Sequence, residues 1–345
     1  METIPKTINS VEELEDLLST PTQHVVKAFT GLKGDLIFLG VGGKIGPSLA
    51  RMAKRADDAA GTQRRIVGVS LFESEDQRKS LENDGIETIH GDMLDRQFLD
   101  DLPEAENVIF MAGMKFGSTE KAGLTWAINS LLPGLVAERY KNSRIIMFST
   151  GCVYPLIPIN RGGSLETDPA NPLGEYAQSC LGRERMFEFG SLKFKTPVVI
   201  IRLNYAVEMR YGVLVDIAQQ VKHKQPIDLS MGMVNVIWQG DVNAMVLRLL
   251  EYCSSPPRIL NITGPEVVPV RYVADRFSEQ FGISPNVFGE EAQTALLSNA
   301  GQAFKLFGYP NIPLEQLIEW VADWVANDRP LLDKPTHYEV RNGKY

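Results

Sequence analysis

The segment that most constrains this chain is an apolar run that breaks into three evenly spaced glycines. Residues 36–39 are Leu-Ile-Phe-Leu, and glycines follow at positions 40, 43 and 46. A buried strand that turns sharply into a helix needs glycine, because the turn is tight and the helix packs closely on the strand. The amino end of that helix can face a phosphate, so the segment is typical of a nucleotide-binding turn. A plain strand–helix loop gives the same pattern, and both interpretations stay open here.

Short segments rich in Val, Ile and Phe alternate with helix-like segments over the first 205 residues. Near-continuous apolar strands separated by helices indicate a parallel sheet that is covered on both faces. We therefore predict an α/β fold with a Rossmann-type doubly wound parallel sheet. The predicted strands are Asp35–Leu39, Arg65–Ser70, Glu87–His90, Asn107–Ala112, Arg144–Ser149 and Val198–Leu203.

Changes in composition divide the chain into four predicted parts. Residues 1–30 form an N-terminal helical extension, opened by the capping box Ser10-Val11-Glu12-Glu13. Residues 31–205 form the Rossmann domain. Beyond it the alternation weakens, and residues 206–330 are assigned mainly to a small C-terminal substrate-binding lobe. Residues 331–345 are a polar tail, which we expect to be loosely held.

Charge and composition exclude several classes of function. The formal net charge is −8 and no basic stripe is present, which argues against nucleic acid as a partner. No apolar run approaches the ~18 residues that span a bilayer, so we expect no membrane segment. Three cysteines and four scattered histidines show no metal-ligand spacing, and no metal site is predicted. The few cysteines favour a reducing, cytoplasmic location.

Polar side chains follow the predicted strand ends, where parallel sheets bind their ligands. Thr150 comes directly after the fifth strand, in Ser149-Thr150-Gly151-Cys152. Tyr176 and Cys180 lie one turn apart on the helix that comes next, so they share one face of it. These three residues are the candidate catalytic residues.

With these motifs in this order, the chain resembles the extended short-chain dehydrogenase/reductase family, the NAD-dependent epimerase/dehydratase group. The resemblance runs from about residue 35 to about residue 325. Besides the glycine turn, Thr150 and Tyr176, it rests on Gly91-Asp92, Phe110-Met111-Ala112-Gly113, Asn129, Ser179, Glu184, Arg202-Leu203, Asp241-Val242 and Asn261-Ile262-Thr263-Gly264.

The resemblance implies an NAD(P)-dependent oxidoreductase or sugar epimerase. In such an enzyme Thr150 would bind the substrate carbinol and Tyr176 would exchange its proton. The resemblance also implies a homodimer, formed through the helices at Thr125–Tyr140 and Glu175–Glu188. Asp92 would meet the adenine, although an aspartate that caps its own loop explains it equally well. The implied cofactor-binding residues are Gly40, Gly43, Lys44, Ile45, Gly46, Ser70, Asp92, Met93, Ala112 and Gly113.

Cys180 is the main departure from the family, which has a lysine at this position. A tyrosine with an ordinary pKa near ~10 needs a neighbouring cation to work as a base. A neutral thiol supplies none, which leaves three alternatives. Arg183 or Lys115 replaces the missing lysine, or Tyr176 serves only as a hydrogen-bond donor. Otherwise the protein is a catalytically lapsed nucleotide binder with a regulatory or redox-sensing role.

The choice between NAD and NADP is open in the sequence. NAD-binding folds commonly end their second strand in a carboxylate that accepts from the ribose hydroxyls. Here Ser70 takes that place and Glu73 comes three residues late. Lys44 or Arg51 would attract a 2′-phosphate, but no arginine follows Ser70 directly.

The motifs that bind nucleotide-sugars in this family are incomplete. Asn204 is displaced by one position, the Gly-Pro that normally follows is missing, and Val234 stands where an arginine grips a diphosphate. We therefore expect a smaller substrate: a free sugar, a sugar acid or a polyol derivative. The candidate substrate-binding residues are Lys115, Asn204, Tyr205 and Arg210.

Overall fold

The computed structural model describes residues 4–344 of the chain. Within this range a π-helical stretch at Ala127–Leu131 separates two short helices that the sequence predicts as one continuous helix. The α-helices are α1 (Val11–Ser19), α2 (Gln23–Gly31), α3 (Gly46–Ala59), α4 (Glu75–Asn83), α5 (Arg96–Asp101), α6 (Ala122–Trp126), α7 (Leu132–Arg139), α8 (Gly174–Phe194), α9 (Val213–Lys222), α10 (Gln239–Arg248), α11 (Val270–Phe281), α12 (Gly301–Phe307) and α13 (Leu314–Ala326).

The strands form one large sheet and several two-stranded pairs. They are β1 (Leu36–Leu39), β2 (Ile66–Ser70), β3 (Glu87–His90), β4 (Asn107–Phe110), β5 (Arg144–Thr150), β6 (Ile157–Pro158), β7 (Val198–Leu203), β8 (Ala206–Val207), β9 (Pro226–Asp228), β10 (Met233–Val234), β11 (Ile237–Trp238), β12 (Arg258–Ile262), β13 (Val268–Pro269), β14 (Asn286–Phe288) and β15 (Thr294–Ala295).

The large sheet has seven parallel strands in the order β12-β7-β5-β4-β1-β2-β3. All six strands predicted from the sequence belong to it, which confirms the Rossmann-type doubly wound sheet. The seventh strand, β12, was missed because it returns to the sheet after a long excursion through the C-terminal lobe. The chain order reverses beside β1, and ligands bind at the carboxyl edge next to such a switch point.

Helices cover both faces of this sheet, which explains why its central strands are apolar at almost every position. All four residues of β1 are buried, and so are all four of β4. Alternate residues of β1 point into separate apolar clusters: Leu36 and Phe38 into one, Ile37 and Leu39 into the other. A strand that is buried on both faces has no polar side to alternate with.

The C-terminal lobe has a core of its own, in which the T-shaped pair of Trp238 and Trp320 lies. The N-terminal extension connects this lobe to the sheet. Leu14 and Leu18 of α1 pack in the lobe core, whereas Phe29 of α2 packs on the sheet. None of the helices between residues 4 and 344 is both long and apolar enough to cross a membrane.

Residues 331–344 pack against both parts of the protein, so the expectation of a loosely held tail is wrong for these residues; residue 345 lies outside the described part. Thr336 and Tyr338 are buried, the tyrosine within the lobe core. Arg341 donates a hydrogen bond of 2.7 Å to the carbonyl oxygen of Thr294, and Gly343 packs tightly against Gly174 at the start of α8. The tail is polar in composition, but its polar groups find partners that are distant in the sequence.

Candidate active site

A cavity of about 320 Å³ opens between the carboxyl edge of the sheet and the C-terminal lobe. Ten of the residues predicted as site residues line it: Gly40, Gly43, Lys44, Ile45, Gly113, Lys115, Thr150, Tyr176, Asn204 and Tyr205. The predicted residues that do not line it are Gly46, Ser70, Asp92, Met93, Ala112, Cys180 and Arg210.

The three glycines of the turn after β1 have different structural roles. Gly40 has a φ of +94°, and a Cβ there would lie 2.5 Å from the backbone nitrogen of Ala112. A Cβ at Gly46 would collide with the carbonyl oxygen of Val41. At Gly43 the nearest atom to an added Cβ would be the Gly40 oxygen at 3.6 Å, so the fold alone does not demand a glycine. The open space at Gly43 is the space that a pyrophosphate needs.

The helix that follows this turn is suited to hold a phosphate group. No side chain caps the N-terminus of α3, and Pro47 occupies its first turn. An uncapped N-terminus carries partial positive charge and attracts anions. Together with the space at Gly43, it means that the residues present fit the pyrophosphate of a dinucleotide.

At the edge of the sheet that would meet the adenosine, the structure gives Asp92 a loop-capping role. Its Oδ1 accepts a hydrogen bond of 2.9 Å from the backbone N–H of Leu94. Ser70 ends β2 beside the glycine turn, where a Cβ on Gly42 would lie 2.6 Å from the serine Oγ. Met93 is buried in the core.

Both cations considered for a 2′-phosphate are engaged elsewhere. Arg51 is paired with Glu15 at 2.7 Å and Asp84 at 2.5 Å. The Lys44 ammonium donates a hydrogen bond of 3.0 Å to the carbonyl oxygen of Ala206 in β8. Neither side chain is therefore available beside Ser70 to select NADP.

Thr150, Tyr176 and Cys180 come together as the sequence predicts. The hydroxyl of Tyr176, in the first turn of α8, is hydrogen-bonded to the Thr150 side chain at the end of β5. The Cys180 thiol, one turn later, is hydrogen-bonded to the same phenol. Thr150 and Tyr176 face the cavity, whereas Cys180 is completely buried behind them with Val153 and Tyr154.

Burial keeps both the phenol and the thiol neutral. It raises the pKa of Tyr176 well above its ordinary value; nearby Cys180 and Cys152 raise it further, and Arg183 and the Thr150 hydrogen bond only partly oppose this. Burial likewise raises the pKa of Cys180 to about 11. Cys180 is therefore a neutral thiol at physiological pH and does not replace the charge of a lysine.

Of the two cations considered as substitutes, Arg183 is fixed within the protein. Its guanidinium donates hydrogen bonds of 2.8 Å to the carbonyl oxygen of Phe148 and 2.6 Å to Oδ1 of Asn129. A Cβ on Gly113 would lie only 2.5 Å from an Arg183 nitrogen, so the arginine lies against the loop after β4. This arrangement positions the loop and α8 but leaves Arg183 outside the cavity.

Lys115, by contrast, lines the cavity together with Tyr176. Its ammonium donates a hydrogen bond of 2.8 Å to the backbone carbonyl oxygen of Thr336. Burial lowers the pKa of Lys115, an effect that Cys152, Asp216, Glu339 and Cys180 oppose. Lys115 is therefore a cation of the cavity itself, whereas Arg183 lies outside it.

A buried network holds α8 against the sheet. Both carboxylate oxygens of Glu184 accept from the Arg202 guanidinium, at 3.0 and 2.7 Å, and Oε1 also accepts from Ser149 at 2.6 Å. Glu184 and Arg202 are 1% and 3% exposed, so the pair lies in the interior. Arg202 is therefore structural, as its place at a strand end indicates.

On the lobe side, Arg210 does not reach the cavity. It is paired with Glu15 at 2.7 Å and with Glu208 at 3.3 Å, and these two carboxylates hold it away from any substrate. Asn204 donates a hydrogen bond of 3.3 Å to Asn235, and Tyr205 has a φ of +43°. This left-handed backbone conformation occurs where the chain leaves β7 and enters the C-terminal lobe.

Sequence reasoning missed Tyr211 and Thr336, both of which line the cavity. Tyr211 belongs to no recognisable motif. Its neighbour Arg210 was predicted instead, because of its charge. Thr336 lies in the tail, where nothing in the local sequence points to a site. The described residues also include no group of three or more His, Cys, Asp or Glu side chains that could hold a metal ion.

Solved structures with the same overall fold include sugar-nucleotide epimerases. UDP-glucuronic acid 4-epimerase from Bacillus cereus, solved with UDP-glucuronic acid and NAD, is 18% identical with a TM-score of 0.70. UDP-glucose 4-epimerase from Thermus thermophilus, solved with NAD, is 17% identical with a TM-score of 0.70. The enzyme of that name from Thermotoga maritima, with UDP-glucose, is 15% identical with a TM-score of 0.69. Each alignment covers 85% of this chain and 99% of the other.

The sequence comparison establishes more than the fold. A search of the curated proteins found no match. A sequence model of the NAD dependent epimerase/dehydratase family, however, matches residues 36–262, more than half of the chain. The match begins with β1 of the glycine turn and ends with β12, so it covers the complete central sheet. The chain is therefore an enzyme of the NAD dependent epimerase/dehydratase family, and its cofactor is NAD or NADP.

Proposed function

We propose that this enzyme oxidises a carbinol of a small sugar, sugar acid or polyol derivative to a ketone, or reduces the ketone, as a dehydrogenase or an epimerase. The observation that carries the proposal is the hydrogen bond between Thr150 and Tyr176 inside a cavity that also contains the glycine turn. A hydroxyl and a phenol that meet in this way hold one substrate oxygen between them. Lys115 provides the positive charge that the family normally takes from a lysine at position 180.

The residues around Gly43 and the N-terminus of α3 would hold the dinucleotide pyrophosphate. When bound, the cofactor supplies the chemistry of hydride transfer at its nicotinamide. Thr150 orients the substrate oxygen, and Tyr176 donates a proton to it when a ketone is reduced. Because its pKa is raised, Tyr176 is protonated at neutral pH and is ready to act as an acid. In the opposite direction Tyr176 must first lose its proton, and the phenolate then accepts the carbinol proton. Lys115 stabilises this phenolate.

A small substrate is supported by the residues of the lobe. Val234, at the position of the family's diphosphate-binding arginine, is completely buried. Arg210 is held by two carboxylates. A diphosphate would therefore lack the bidentate charged contacts that normally bind it. The UDP-sugars of the similar solved structures are accordingly not the substrates that we propose for this chain.

We also propose that the enzyme is a homodimer in the cytoplasm. Leu131, the last residue of the π-helical stretch before α7, is 56% exposed, and Phe189 on α8 is 60% exposed. Large apolar side chains on two neighbouring helices form a surface suited to a second copy of the chain. The three cysteines, all of them free thiols, agree with a reducing compartment.

The first experiment identifies the cofactor. The purified protein is denatured and any released nucleotide is analysed by mass spectrometry; NAD and NADP are then added back to emptied protein. Retained dinucleotide supports an epimerase cycle, in which the cofactor stays bound, and reversible binding supports a dehydrogenase. A protein that binds neither dinucleotide contradicts hydride transfer.

The second experiment tests Lys115 by turnover of aldoses, sugar acids and polyols, followed by NADH absorbance. Lys115→Met lowers kcat by roughly 100-fold, because the phenolate loses its cation. Adding Cys180→Lys to this variant restores much of the loss, since it returns a cation to the family's position. Lys27→Met, which removes an exposed lysine of α2, is the matched control and leaves kcat unchanged. Full activity of Lys115→Met would assign the electrostatic role to another group.

A further inference from the structure

Lys44 lies in the glycine turn, but its side chain crosses to the opposite wall of the cavity. Its ammonium donates to the carbonyl oxygen of Ala206 at 3.0 Å and lies 4.2 Å from the centroid of the Tyr211 ring. An ammonium has three donors, and these contacts leave one of them for a ligand. The charge is therefore presented on the lobe side of the cavity, away from the phosphate space at Gly43.

The carboxylates nearest to Lys44 already have partners of their own. Glu208 accepts from the backbone N–H of Arg210 at 2.8 Å and is paired with its guanidinium. Asp216 accepts from both the backbone N–H and the hydroxyl of Thr336, at 2.8 and 2.5 Å. Among residues 4–344, Lys44 forms no ion pair. A partly buried cation without a bonded carboxylate is costly, and an anionic ligand relieves that cost.

Lys115 is a second cation on the same cavity, and it approaches from the sheet. The hydroxyl-bearing side chains of Tyr205, Tyr211 and Thr336 line the same cavity as the two lysines. A ligand that carries both hydroxyls and a negative charge matches this lining. A neutral sugar would leave both ammonium groups without a counter-charge.

We propose that the substrate carries a carboxylate or phosphate group and that Lys44 binds this group on the lobe side of the cavity. The inference rests on the proposed function and narrows it from sugars in general to anionic sugars. It also assigns Lys44 to the substrate, whereas its position in the glycine turn suggests the cofactor.

The test compares three ligands that share one ring and differ at one end. D-glucuronate, D-glucose 6-phosphate and D-glucose are titrated calorimetrically into cofactor-loaded protein, which separates carboxylate, phosphate and neutral forms. We expect one anion to bind at least about tenfold more tightly than glucose. Lys44→Met abolishes that preference, Lys44→Arg retains it, and Lys27→Met leaves it unchanged. The affinity for NAD or NADP stays the same in all three variants.

The pH dependence of anion binding is a second readout. Burial lowers the pKa of Lys44 to about 8, an effect that Glu208 and Asp216 oppose and Arg210 reinforces. The preference for the anion therefore falls as the pH rises through about 8. In Lys44→Met this pH dependence is absent.

Three results would overturn the inference: neither anion binds more tightly than glucose, Lys44→Met keeps the preference, or Lys44→Met weakens dinucleotide binding instead. The last result would place the ammonium on the cofactor pyrophosphate. Normal dinucleotide binding without anion preference refutes only this inference. Failure to bind either dinucleotide refutes the proposed function itself.

Discussion

The Lys115 ammonium donates a hydrogen bond to the backbone carbonyl oxygen of Thr336, a residue 221 positions later in the chain. The N–H and hydroxyl of Thr336 in turn donate to Asp216 of α9. The tail thereby connects the loop after β4 to the lobe and forms one wall of the cavity. We therefore expect a ligand to leave more easily when the contacts of this wall are weakened.

Thr336→Val removes the hydroxyl donor to Asp216 and keeps the shape of the side chain. We expect it to cost about 1 kcal/mol, the usual net value of a hydrogen bond. A free-energy loss of this size corresponds to a several-fold faster release of NADH, which stopped-flow fluorescence measures. Lys334→Ala breaks an exposed ion pair to Glu73 in the same tail and is the control. Equal release rates in both variants would show that the tail does not gate the cavity.

The glycine turn can be tested with one substitution that the fold tolerates and one that it does not. Gly43→Ala meets only an ordinary contact, so its stability is expected to stay within about 0.5 kcal/mol of wild type. Its dinucleotide affinity falls about tenfold or more, because the methyl group occupies the phosphate space. Gly40→Ala meets both a positive φ and the backbone of Ala112, and it loses at least about 2 kcal/mol of stability. Unchanged binding by Gly43→Ala, measured by calorimetry, would contradict the assigned cradle.

Glu184 is expected to matter for stability far more than an exposed glutamate on the same helix. Glu184→Gln leaves the buried Arg202 charge without its counter-charge, and we expect a loss of about 3 kcal/mol in urea unfolding. Glu188→Gln breaks only the exposed pair with Arg185, and its cost stays below about 0.5 kcal/mol. Similar costs for the two variants would mean that the network does not fix α8.

The direction of the reaction sets how its rate depends on pH. Because the pKa of Tyr176 is raised well above its ordinary value, the phenolate is a small minority at neutral pH. For carbinol oxidation, kcat is expected to rise by about tenfold per pH unit across the alkaline range, since only the phenolate accepts the proton. For ketone reduction kcat stays flat, because the phenol remains protonated. Tyr176→Phe removes both activities; an oxidation profile that levels off near neutral pH would indicate a different base.

The proposed dimer is tested at its most exposed apolar residue. Phe189→Glu places a charge on this apolar surface and is expected to weaken association by about 2 kcal/mol or more. Light scattering across a dilution series measures the change in mass. Tyr309→Glu changes a side chain that is 72% exposed elsewhere and serves as the control. A wild-type protein that is monomeric at all concentrations rules out the proposed interface.

Local sequence patterns determine the sheet and the glycine turn of this protein. Strand β7 has the bounds that its apolar pattern predicts, because residues that are buried on both faces of the sheet are apolar at consecutive positions. Thr150 and Tyr176 were also found from sequence, since strand ends and helical spacing place them at one edge. The order of the motifs along the chain likewise indicates the family.

Tertiary structure alone decided what each charged residue does. Arg210 is neutralised by Glu15, which lies 195 positions earlier in the chain. Lys44 reaches across the cavity instead of remaining beside the glycine turn. Thr336 becomes part of the cavity wall only because the tail returns to meet Lys115. The partners in these contacts are 162 to 221 positions apart in the chain. Local periodicity carries no information about which of such distant groups will meet.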